Sequence, residues 1–137
     1  LHTRAHLLQA VYEGVVFSHM THLNRMRERF RDVRVLRVTG GPAHSDVWMQ
    51  MLADVSGLPV ELPQLEETGC FGAALAAQIG TGLYATFQEA QRSLRYEIRT
   101  LMPDMTIHTD YQRKYHHYQL LIEALQGFQA RIKEHTL

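Results

Sequence analysis

The chain has 137 residues, with 14 Lys+Arg against 14 Asp+Glu and a formal net charge of zero. That balance gives no general field for nucleic acid or an anionic membrane, and no apolar run approaches the roughly 20 residues that span a bilayer. At 45% hydrophobic and 20% charged residues, the composition favours a folded core over disorder, and the length suits one domain.

The first residue is Leu1, and helical patterning begins almost at once. No basic segment leads into an apolar one, so no signal peptide is predicted. The chain reads as a single-domain fragment, 1–137, of a longer polypeptide. Its one cysteine, Cys70, excludes an internal disulfide framework and suits a reducing cytosol.

Thr3 is placed to cap a first helix whose apolar positions Leu8, Val11, Val15, Leu23, Met26 and Phe30 mostly recur at three- and four-residue steps. Gly14, with Ser18 one turn on, predicts a close approach by another element. The charged run Arg25–Asp32 reads as a solvated last turn. Val33–Val38 is β-branched and partly alternating, which predicts a strand stopped by Thr39-Gly40-Gly41-Pro42. Ser45 or Asp46 opens a second amphipathic helix, Val47–Val55, with Gly57 in the C′ role. Pro59–Pro63 is bounded by prolines and predicts a short edge strand.

Glu66 and Glu67 suit the N-terminus of a third helix. Its small-residue stripe, Gly69, Gly72, Ala73 and Ala76, predicts tight packing on a sheet or another helix, and Gly80-Thr81-Gly82 ends it. Thr86 with Glu89 forms a capping-box pattern for a short helix through Ser93. An irregular stretch is expected from Tyr96 to Met105, then a last helix from about Asp110 to Lys133. On it Tyr111, Tyr115 and Tyr118 share a face suited to docking. The class is α/β with too few strands for a complete sheet.

The turn Gly40-Gly41-Pro42-Ala43-His44-Ser45 lies between a strand and a helix, where glycines let backbone approach a flat or anionic ligand. It lacks Gly-Lys-Ser/Thr and the third spaced glycine of the dinucleotide fingerprint, so an ordinary connection and a nucleotide turn both remain open. Nine histidines raise the question of a metal. His2/His6 and His19/His22 have helix-face spacing, but no HExxH occurs and carboxylates do not cluster with the imidazoles; no metal ligands are assigned. Cys70, at the start of an Ala/Gly-rich helix, reads as a small buried side chain rather than a nucleophile. No pair of carboxylates stands out as acid and base.

The motifs in order resemble the C-terminal domain of the FGGY family of carbohydrate kinases. His2-Thr3-Arg4-Ala5-His6-Leu7 with Ala10–Gly14 resembles the family helix ahead of the nucleotide strand. Val38-Thr39-Gly40-Gly41-Pro42-Ala43-His44-Ser45 with Trp48-Met49-Gln50 resembles its adenosine motif. Leu58–Glu61 and Glu67-Thr68-Gly69-Cys70-Phe71-Gly72-Ala73-Ala74 complete the pattern, the opening helix and this last segment being similar to L-xylulose and related ketosugar kinases. The resemblance covers Leu1 to about Ser93 well and the last helix loosely.

The resemblance implies part of an RNase H-like, actin- and hexokinase-type domain in a cytoplasmic enzyme using ATP and Mg²⁺. By the same resemblance Gly40, Gly41, Pro42 and Ala43 line an adenine–ribose pocket by backbone, and Ser45 reaches its adenosine end. Pro42 departs from the small residue common there and lacks an N–H to donate. The family's catalytic Asp, its sugar pocket and its phosphate-binding hairpins are expected ahead of Leu1, so no catalytic residue is assigned here. The isolated fragment is expected to lack kinase activity. The partners implied are ATP or ADP and a sugar held mainly elsewhere, with no nucleic acid and no membrane. Self-association through the strand at Val33–Val38 is expected if its neighbours are missing. Two further readings are a non-catalytic nucleotide- or sugar-binding regulatory module and a helical protein-interaction domain.

Overall fold

The computed structural model describes residues 2–65 and 67–135; Leu1 and Glu66, both used in the sequence reading, lie outside the described residues. Helix α1 (Arg4–Arg29) starts after Thr3, whose extended backbone N–H donates to Nδ1 of His6 at 3.0 Å. Its buried side chains are Val16, Phe17, Met20 and Leu23. Of the predicted apolar stripe only Leu23 is core, while Leu8, Val11, Val15, Met26 and Phe30 are exposed. The helix is covered along one short face only, so its periodicity was offset from the face that packs. Nothing lies within 4 Å of a Cβ built on Gly14, and the predicted close approach there is absent. The charged end of the helix is largely solvated, as expected.

Strand β1 (Leu36–Arg37) is shorter than the predicted Val33–Val38. Its ladder is set by one partner, β2 (Val60–Pro63), which pairs with it in parallel, Leu36 opposite Val60 and Arg37 opposite Glu61. Between them runs a 3₁₀ turn, Gly41–His44, and α2 (Asp46–Ser56). The bounds of α2 follow from its caps. The Ser45 hydroxyl accepts from the Trp48 N–H at 3.4 Å, and Gly57 takes the left-handed conformation at φ 65 that favours glycine. Residues 51–56 of α2 are all buried.

The sheet order is β1-β2-β3, where β3 (Ile98–Leu101) is antiparallel to β2. Two expectations are corrected here. The segment between Pro59 and Pro63 is the central strand, not an edge. Its prolines sit at the ends, so the ladder N–H groups of Val60, Glu61 and Leu62 remain, and the Pro59 carbonyl accepts from the Leu36 N–H at 2.9 Å. Tyr96–Met105, expected to be irregular, supplies the edge strand β3. That strand is mostly exposed and carries little apolar alternation to betray it.

Helix α3 (Thr68–Gly80) buries only Leu75 and packs against α4 (Phe87–Arg92). The Gly69/Gly72/Ala73/Ala76 stripe meets no tight partner: Ala73 and Ala76 are exposed, and nothing lies within 4 Å of a Cβ at either glycine. Cys70, expected to be buried, is exposed for the same reason. Short helix α4 is capped as predicted, with Thr86 accepting from the Glu89 N–H at 3.2 Å and Glu89 accepting from the Ala85 N–H at 3.0 Å.

Helix α5 (Met105–His135) begins more than a turn before the expected Asp110. Asp104 accounts for this: its Oδ1 accepts from the Thr106 N–H at 2.8 Å and from the Thr106 hydroxyl at 2.6 Å. The tyrosine stripe does dock. Tyr115 is buried beside Phe17, with ring centroids 5.8 Å apart, and its hydroxyl lies 3.2 Å from that of Thr21. Val16, Val55, Val60 and Leu62 are the largest fully buried side chains, and they mark a core between the sheet, α1, α2 and α5.

Candidate functional site

The parallel pair β1–β2 with α2 between them places the 39–46 turn at the C-terminal end of β1 and the N-terminus of α2. That is where open α/β sheets bind ligands and where helix N–H groups favour negative charge. Gly40 has φ 88 and ψ −173, a backbone that side-chain-bearing residues rarely adopt, and nothing lies within 4 Å of a Cβ built there. Its carbonyl accepts from the Ala43 N–H at 2.9 Å, and the Pro42 carbonyl accepts from the Ser45 N–H at 3.1 Å, which closes the 3₁₀ turn.

A cleft of about 430 Å³ opens beside this turn, within the usual range for small-molecule sites. One wall is Thr39, Gly40, Ala43, His44 and Asp46; the other is Leu62–Leu65 with Arg99 of β3. Of the five residues assigned from sequence, Gly40 and Ala43 line the cleft. Gly41 is exposed on the turn with open space around its Cβ position. Pro42 faces a second, apolar groove of about 570 Å³ between α1 and β1. Ser45 is half-buried, its hydroxyl accepting the Trp48 N–H as the cap of α2.

Asp46 and Arg99 also line the cleft and were not singled out as site residues from the sequence. Arg99 Nη1 donates to Asp46 Oδ2 at 2.9 Å and Nη2 donates to Oδ1, a fork that ties β3 to the first turn of α2. Hydrogen bonding to Arg99 holds the Asp46 carboxyl below its ordinary range, and the reverse contact raises Arg99. A strand reading of Ile98-Arg99-Thr100-Leu101 was the signal that could have brought Arg99 to the sheet. Among the described residues no group of three or more His, Cys, Asp and Glu side chains is placed to hold a metal ion.

Residues 2–81 match the C-terminal domain of the FGGY family of carbohydrate kinases. The chain belongs to that family. This FGGY domain is 80% identical over its whole length to the L-xylulose/3-keto-L-gulonate kinase of Escherichia coli strain K12, covering 28% of that protein. It is 51% identical, over 92% of its length and 25% of the relative, to a protein named probable L-xylulose kinase from Haemophilus influenzae. The crystal structure of a xylulose kinase from Rhodospirillum rubrum superposes on 93% of the chain with a TM-score of 0.76 at 28% identity, covering 26% of that structure. The chain thus spans about a quarter of the length of these proteins. The helix-rich α/β class with an incomplete sheet is that of a sugar-kinase C-terminal domain. Among the described residues, no helix of the FGGY domain is long and apolar enough to cross a membrane.

Proposed function

We propose that this FGGY domain is the ATP-side part of a kinase that transfers phosphate to a ketopentose-like sugar such as L-xylulose. The observation that carries the reading is the 80% identity, without a break in coverage, to a kinase named for that sugar. The local geometry supports it. A glycine at φ 88 removes the side chain where β1 meets the cleft, and the walls offer the half-buried Ala43, Pro63 and Leu65 to a flat base.

In this reading the adenosine end enters the cleft over Gly40 and Ala43, with Gly41 at the rim. Ser45 acts through the cap it gives α2, and Pro42 supports the turn from the other side without donating a hydrogen bond. The described residues fit a nucleoside but offer no carboxylate set for Mg²⁺: none of them form a group of three or more His, Cys, Asp and Glu side chains, and Asp46 at the cleft is paired with Arg99. A Mg²⁺ ion would be held by the phosphates and by groups outside this chain. Phosphoryl transfer depends on positioning and on neutralising the phosphates. The groups that do this, with the catalytic Asp and the sugar pocket, belong to the remaining three-quarters of the enzyme. The isolated chain is therefore inactive.

Calorimetric titration of the chain with Mg²⁺-ATP and with ADP tests the reading. Gly41→Asp meets nothing within 4 Å, so it should fold while setting a carboxylate at the rim. The expected result is binding by the wild type that weakens at least about tenfold, or 1.4 kcal/mol, in the variant. Equal binding by both proteins removes the turn from the site. A phosphorylation rate above a no-protein blank that Gly41→Asp abolishes overturns the assignment of catalysis to the rest of the enzyme.

A further inference from the structure

We propose that Arg99, clamped by Asp46, is a nucleoside-binding residue of the cleft, its guanidinium packing on the base rather than gripping a phosphate. The inference deepens the nucleotide reading above and rests on it. Arg99 stands on β3, across the cleft from the Gly40–His44 turn, and lies beyond the residues 2–81 that the family pattern matches. It therefore adds to the pocket a wall that the glycine turn does not supply.

The pair contributes little to the fold. Its side chains are 43% and 66% exposed, and solvated ion pairs change stability only slightly. The sheet and α2 already meet through the buried core around Val55, Val60 and Leu62. What the fork does fix is orientation. Two parallel N–H···O bonds hold a planar guanidinium in one plane, which a lysine cannot imitate.

Charge then selects the part of the ligand. Arg99 neutralised by Asp46 leaves this end of the cleft with no net positive charge. Beside it Pro63 and Leu65 are apolar and half-buried. An uncharged, flat base fits that surface, and an arginine face stacks on it. At Arg99 a polyphosphate would find a cation already matched by a carboxylate.

The test is a calorimetric comparison of adenosine, ADP and Mg²⁺-ATP binding to the wild-type chain, Arg99→Ala, Arg99→Lys and Asp46→Asn, each checked for an unchanged melting transition. Arg99→Ala is expected to weaken all three ligands by a similar factor, roughly tenfold, as loss of a cation–ring contact would. Arg99→Lys should bind no better than Arg99→Ala, and Asp46→Asn should weaken binding in the same direction without adding to Arg99→Ala. A loss that grows from adenosine to ATP overturns the inference in favour of a phosphate contact. Full rescue by Arg99→Lys, or unchanged binding in Arg99→Ala, overturns it outright while leaving the cleft standing. A folded wild-type chain that binds none of the three removes both the cleft and Arg99's place in it.

Discussion

Helices α2 and α3 are of similar length, 11 and 13 residues, and both are largely apolar, yet they live in different surroundings. Helix α2 buries Met49 and all of residues 51–56, because it connects two paired strands and is covered by α1 and α5. Helix α3 leaves the sheet after Pro63, packs on α4, and turns its Ala/Gly face to solvent. An apolar stripe states that a helix needs a partner. The connection on either side decides whether this chain supplies one.

The largest expected effect separates the two regions by stability. Leu62→Ala, at a site 1% exposed in the central strand, should cost about 2–5 kcal/mol. Ala76→Ser on the open face of α3 should change stability by less than about 0.5 kcal/mol. Chemical denaturation measures both. Hydrogen exchange sharpens the contrast, since α2 amides should open only with the whole molecule while those of α3 and α4 exchange through local opening. Protection of α3 equal to that of α2 would break the comparison.

Two glycines at positive φ extend it. Gly57, at φ 65, ends α2, and a Cβ there would lie 2.9 Å from Cε1 of His108, whose Nδ1 is 2.7 Å from the Asp54 carbonyl oxygen. Gly82, at φ 79, follows α3 and has nothing within 4 Å. Gly82→Ala should therefore show only the left-handed backbone cost, about 1–2 kcal/mol. Gly57→Ala should show that cost plus displacement of the His108 ring. Thermal melts giving equal losses would mean that the ring at Gly57 gives way freely.

The same contrast explains what was legible. Caps speak locally, so Thr3, Ser45, Gly57 and Thr86 marked their helix ends correctly, because each bond joins neighbours in sequence. The tyrosine stripe was legible because Tyr115 and Tyr118 lie one turn apart on a face that meets Phe17. Partnership was not legible. Pro59 and Pro63 looked like edge markers, and only the pairing of Val60 with both Leu36 and Leu101 makes their strand central. In the cleft, Gly40 and Ala43 could be read from the turn. Asp46 and Arg99 are 53 positions apart and meet only through the register of β2 with β3.

The smallest effect concerns the helix starts, where Asp46 opens α2 and Asp104 precedes α5. Both carboxyls are held below their ordinary range, Asp46 by hydrogen bonds from Arg99 and Asp104 by the hydroxyl and N–H of Thr106. A carboxyl depressed in the folded state contributes stability that is fully present above its unfolded pKa, about 3.9, and is lost as pH falls through the folded value. The melting temperature should therefore hold at neutral pH and fall below about pH 4, and Asp104→Asn should flatten part of that fall. Salt tells the two apart. The Asp46 contact joins two solvated charges and is screened, whereas Asp104 is held by neutral donors of its own helix and is not. In Asp46→Asn the acid slope should thus become less salt-dependent, and in Asp104→Asn its salt dependence should stay as it was. An acid slope that responds to salt equally in both variants would show that the two helix starts are held by the same kind of force.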